Sequence, residues 1–282
     1  MLKQLLIAGA AASSAAAAAG FVMARSAFHE WGVVPGDAAK PLPGDDLVPE
    51  PKAADTRTIE IEASPERVWP WLVQMGYGRG GWYSYDQLDM DHPSLDRIDL
   101  ALQALAVGDV VPTHPSGGFE VKVLEPDHAL VLFLDRPTML AQEVRAREAG
   151  APVLDETEAT DEAGVPAGDD TIVVPPKASA NVRATGAYLG AAMPGDFAAS
   201  WAFVLEPAEG GRTRLIERFR VAMAPPASGR PIPPVATSML GFGVFVMTRR
   251  QMLGIKSRVE GRPEPGFLAE ALRRRHLGIA PA

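Results

Sequence analysis

The sequence predicts an α+β domain in which an antiparallel sheet is covered on one face by a long C-terminal helix. Three observations carry this. A strand-like alternation at 58–63 runs straight into a helix start at Ser64-Pro65. Phe197–Glu206 and Arg212–Met223, joined by PAEGG, form the clearest hairpin in the chain. A run of apolar residues, MLGFGVFVM from Met239, opens a helix that reaches Glu260. At about 9–13 residues that run is too short to span a bilayer and suits burial in a core.

Composition narrows the partners. The 282 residues are 47% hydrophobic and 22% charged, enough for a sizeable core and a solvated surface. A formal charge of −8 disfavours nucleic acid as a partner, because no general basic field is available. There is no cysteine, which removes disulfides and thiolate chemistry. The five histidines show no ligand spacing, so neither a metal nor a cofactor is expected, and no catalytic constellation stands out.

From the N-terminus, no charge falls between Lys3 and Arg25, and LLIAGAAASSAAAAAGFVMA is long enough to cross a bilayer. Residues 1–26 are therefore expected to be a membrane anchor, with the side of the membrane undecided. A cleaved export signal and a soluble alanine-rich helix are the alternatives. Residues 27–55 are rich in Pro, Gly and Asp and read as a stiff linker, so the folded domain is expected to run from Thr56 to Arg262.

Thr58, Glu60 and Glu62 alternate with Ile59, Ile61 and Ala63, the period of a half-buried strand. Ser64 and Pro65 then start a helix with Val68, Trp69, Leu72 and Val73 on one face and Pro70 inside it. Gly76, Gly78, Gly80 and Gly81 break it without any Walker or dinucleotide context. Ser84 with Gln87 matches a capping box and predicts a second helix from Tyr85. Leu95, Ile98, Leu102 and Leu105 predict a third over 95–105.

From Gly108 the period becomes two, giving strands near Gly108–Thr113, Gly118–Glu125 and His128–Leu134. His114 and His128 sit at strand ends and are expected to be solvated. An insertion follows at 136–196. Between Ala141 and Ala180 nine acids face three bases, a composition too polar to order itself. It reads as a surface loop or a lid. In the hairpin, Arg212, Arg214, Arg218 and Arg220 share the face expected to be wet. Glu217 falls with Leu215 and Phe219 on the apolar face, where an unpaired carboxylate is costly. Its partner is expected from Tyr83, Tyr85, Arg79 or the final helix. Residues 263–282 form a tail with a basic patch at Arg273–Arg275.

The phrases IEIEASPERVWPWLVQMG, GRGGWYSYDQLD, SWAFVLEP and GGRTRLIERFR resemble the START/polyketide-cyclase superfamily, also called SRPBCC. They are similar to a bacterial branch whose members often carry N-terminal membrane segments. The resemblance covers Thr56–Leu134 and Phe197–Gly261. It implies the helix-grip fold, a curved antiparallel sheet wrapped around the last helix with an internal apolar cavity. Fold transfers across such a superfamily better than function does.

On that basis Tyr83, Tyr85, Trp201, Phe203, Glu217, Phe219 and Phe245 are the candidate ligand-binding residues, with an apolar or aromatic small molecule as the expected partner. Close packing into a dry core is the competing reading. The function classes are a binding or carrier module, a cyclase- or hydrolase-like enzyme using Glu217 as acid or base, and a membrane-tethered interaction domain with a filled core.

Overall fold

The first strand of the sheet pairs with the last. In the computed structural model, which describes residues 29–90, 92–114, 117–148, 196–224 and 234–262, β1 (Ala53–Ile61) lies antiparallel beside β6 (Arg212–Met223). Next come β5 (Phe197–Ala208), β4 (Ala129–Asp135), β3 (Gly117–Glu125) and β2 (Val110–His114), in the order β1-β6-β5-β4-β3-β2. The helices are α1 (Pro65–Val73), the four-residue α2 (Asp86–Asp89), α3 (Arg136–Glu148) and α4 (Pro234–Val259). The expected N-terminal anchor, most of the acidic insertion and the basic tail lie outside the described residues. Among the described residues, no helix is long and apolar enough to cross a membrane.

Alternation places Ile61, Leu205, Leu215, Phe203, Leu130 and Leu132 on one face of the sheet, all fully buried. Val68 and Leu72 of α1 cover them together with Met252, Ile255 and Val259 from the C-terminal half of α4. Both helices meet the sheet through the apolar stripes their sequences carry. Arg79 closes the end of α1 by donating to the Val73 and Met75 carbonyls at 2.9 and 3.0 Å.

Two expected helices are not formed as read. Over 95–105 only a 3-10 turn, Leu100–Leu102, is present, and Leu100 is exposed. Asp99 accepts from the Ala101 amide, a local bond that competes with helix. The Gln74 side chain grips this loop by donating to Arg97 O and accepting from Asp99 N, at 3.1 and 3.0 Å. The second helix is only α2, because Ser84 donates to the Met247 carbonyl of α4 (2.9 Å) instead of capping.

The acidic stretch expected to be mobile from Ala141 is helical as far as Glu148. Gln142 holds this helix to the sheet. Its side chain both accepts from Gly118 N and donates to Gly118 O, at 2.9 and 3.0 Å.

Only Arg212 of the arginine face is exposed; Arg214, Arg218 and Arg220 are covered, which corrects the sequence reading. The Pro-rich stretch runs across it as a strap. Arg218, 2% exposed, donates to Lys40 O, Asp37 O and Ala38 O and pairs with Asp45. Arg220 donates to Val48 O and Pro49 O, and Arg214 pairs with Asp37. Backbone carbonyls that have no strand to pair with thus find guanidinium donors. Leu42 seals the strap onto Ala129, Val204 and Ile216. Gly44, with φ 86°, passes so close that a Cβ would lie 2.4 Å from Val131 Cγ1.

His128 is solvated as expected and pairs with Glu125. His114 is not: it is half-buried at the end of β2, and burial pushes its imidazole from 6.5 down to about 4. A histidine held neutral in the fold but free to charge when unfolded contributes stability present above pH 6.5 and lost as pH falls toward 4. The His114→Gln variant is expected to show a shallower loss between pH 7 and 4.5, by about 1–2 kcal/mol, in chemical denaturation at the two pH values. Parallel losses in parent and variant would contradict this assignment.

Candidate functional site

The register of β1, β6 and β5 sets Arg57, Glu217 and Phe203 side by side on the inner face. One step along that face come Asp55, Phe219 and Trp201. Arg57 and Glu217 are each 1% exposed. Arg57 Nη1 donates to Glu217 Oε2 at 3.1 Å, and Arg57 Nη2 donates to Asp55 Oδ2 at 2.7 Å. Trp201 Nε1 donates to the other Glu217 oxygen at 2.7 Å. The chain of groups ends at the surface, where the half-buried His29 pairs with Asp55 Oδ1. From α4, Phe245 covers the guanidinium, whose carbon lies 5.9 Å from the ring centre.

Burial pushes the Glu217 carboxyl up from its ordinary value, while Arg57 and then Trp201 hold it down. Each of its oxygens accepts an N–H, which is the geometry of a carboxylate rather than of an acid. Burial also works against the charge on Arg57, but Glu217 and Asp55 outweigh it and raise its pKa.

Aromatic rings surround this network. Trp82 stacks on Trp201 with centroids 5.2 Å apart, and Phe119 and Phe219 meet Trp201 edge-on at 5.8 and 6.2 Å. Phe203 leans on the same indole at 5.1 Å. Along the inner face, Ile61, Leu205 and Leu215 are wholly enclosed. Trp201, Phe219, Phe119 and Phe245 remain half-buried, and Phe242 is 49% exposed. Large rings therefore stay partly uncovered directly above a buried ionic network.

The expected partners of Glu217 are corrected here. Tyr83 is fully buried, and its hydroxyl donates to Trp71 O at 3.2 Å. Arg258 lies 4.8 Å from its ring centre, and burial pushes the phenol up. Its backbone sits at φ 56° and is pinned by Ser94, whose hydroxyl donates to Asp86 at 2.6 Å. Tyr85 lies half-buried beneath Arg250, 5.8 Å away. Arg79 serves α1 and the Leu102 carbonyl. Of the seven candidate residues, Trp201, Phe203, Glu217 and Phe219 fall together on the sheet and Phe245 reaches them through Arg57; Tyr83 and Tyr85 serve other contacts.

The partner, Arg57, was within reach of the sequence. Carrying the Ile59–Ile61 alternation two residues upstream places Arg57 on the apolar face, and two more places Asp55 there.

No family model and no curated protein matches the chain. Among solved structures, it is similar to a conserved protein from Geobacillus kaustophilus at 12% identity, covering 74% of this chain and 95% of that one, with a TM-score of 0.32. It is similar to protein MLL2253 from Mesorhizobium loti at 14% identity, covering 74% and 98%, with a TM-score of 0.32. Similarity to the Zhui aromatase/cyclase from Streptomyces sp. R1128 is 14% identity over 79% and 95%, with a TM-score of 0.26. Scores at this level carry no functional argument.

Proposed function

We propose that this chain is a binding or carrier module for an apolar or aromatic small molecule, taken up between sheet and C-terminal helix in a helix-grip arrangement. The observation that carries the reading is the set of half-buried rings, Trp201, Phe219, Phe119 and Phe245, on the same side of the sheet as the fully buried Ile61, Phe203, Leu205 and Leu215. A core without a ligand gains by closing over such rings, since each uncovered one forgoes transfer free energy. A flat hydrophobic guest stacks on them instead. Binding is favoured over catalysis because each Glu217 oxygen already accepts a hydrogen bond from the protein, which suits an anchor better than a base.

The test is titration with the uncharged fluorophore N-phenyl-1-naphthylamine, together with native mass spectrometry of molecules that co-purify. Binding in the micromolar range or tighter is expected. Phe219→Ala, which leaves the hydrogen bonds among Arg57, Asp55, Glu217 and Trp201 in place, is expected to weaken it about tenfold. Unchanged affinity in a folded Phe219→Ala protein would place the guest elsewhere, and no binding of any apolar probe would end the proposal.

A further inference from the structure

We infer that this site, taken as the ligand site proposed above, discriminates by charge: it accepts uncharged aromatic guests and rejects anionic ones, with Glu217 as the specificity-determining residue. Two carboxylates, Asp55 and Glu217, stand against one guanidinium beneath the rings. The donors that an anion would need are engaged there. Arg57 directs Nη1 and Nη2 at those two carboxylates, and the Trp201 indole N–H is held by Glu217.

Apart from the engaged indole N–H the rings offer an anion no donor, and their π faces carry the negative side of the aromatic quadrupole. On α4, Arg249 and Arg250 lie over Trp31 and Tyr85, at 5.1 and 5.8 Å from the ring centres. His29 meets Asp55 from the outside and lies at the far end of the network from Trp201. An anion seated on Trp201 and Phe219 would therefore face a Glu217 carboxylate that burial leaves poorly screened.

Two probes of one skeleton isolate the charge: N-phenyl-1-naphthylamine and its sulfonate, 8-anilinonaphthalene-1-sulfonate. The full-length protein is expected to bind the neutral probe at least tenfold more tightly. In Glu217→Gln, which retains an acceptor for Trp201 but loses the charge, the ratio of the two affinities is expected to fall to about threefold or less. Asp55→Asn is expected to narrow the ratio in the same direction and serves if Glu217→Gln proves too unstable, as judged by circular dichroism. Equal or tighter binding of the sulfonate by the parent protein overturns the inference, as does a ratio unchanged in both variants. Failure of both probes to bind the parent protein overturns the ligand site itself.

Discussion

Replacing Arg57 with methionine is expected to destabilise the domain by about 3–5 kcal/mol, the usual cost of removing one partner from a buried ion pair. Methionine keeps an unbranched apolar stem, so the larger part of the loss is electrostatic. Glu217 and Asp55 would remain on the inner face, at 1% and 7% exposure, without the guanidinium that both oppose. Urea denaturation at pH 7 measures it. Adding Glu217→Gln to Arg57→Met is expected to recover a substantial part of the loss, because a neutral amide tolerates burial far better than a carboxylate. If the double variant were as unstable as the sum of the singles, the pair would be acting through packing rather than charge.

The second large effect is expected at Arg218. Its guanidinium donates to three carbonyls of the strap, to the Asp45 carboxylate and to the Thr56 hydroxyl. Arg218→Met would leave those carbonyls under cover without donors, at an expected cost of about 2–4 kcal/mol. The local consequence is more specific than the global one. Residues 37–49 should become the first site of limited proteolysis under native conditions, while the β5–β6 hairpin stays protected. Cleavage there at the parent's rate would show that Leu42 and the remaining arginines suffice to hold the strap.

Much of the fold is legible because burial on one face imposes a period. The five strands from Val110 onward and the start of α1 at Pro65 follow directly from alternation and from the Ser64-Pro65 pair. The third helix misleads because its four leucine and isoleucine positions carry the right spacing, while the decision is made by Gln74, a side chain some 25 residues away that grips the loop backbone. Glu217 is legible as an anomaly, since alternation forces it inward. Alternation also turns Arg57 inward, but that the two meet depends on which strand lies beside β6, and period-two patterns contain no such information. The arginine face misleads for a related reason. A row of charges is ordinarily a solvated face, yet a proline-rich chain presents carbonyls without a matching row of partners, and arginines are suited to receive them.

The pairing of β1 with β6 also sets the order in which the domain can assemble. Arg57 and Glu217 are 160 residues apart in sequence, and among the described residues β6 is the sole neighbour of β1 in the sheet. At ordinary rates of synthesis the first strand would emerge from the ribosome roughly 10–30 s before its partner exists. Such distant pairing makes closure of the sheet a late and slow event. A strand that must wait so long is safest when its future inner face is not wholly apolar. Asp55 and Arg57 give the nascent β1 two charges on that face, which oppose premature pairing with other chains. The same two residues become the buried ionic network only when β6 arrives, so their cost in burial is incurred after their benefit in solubility.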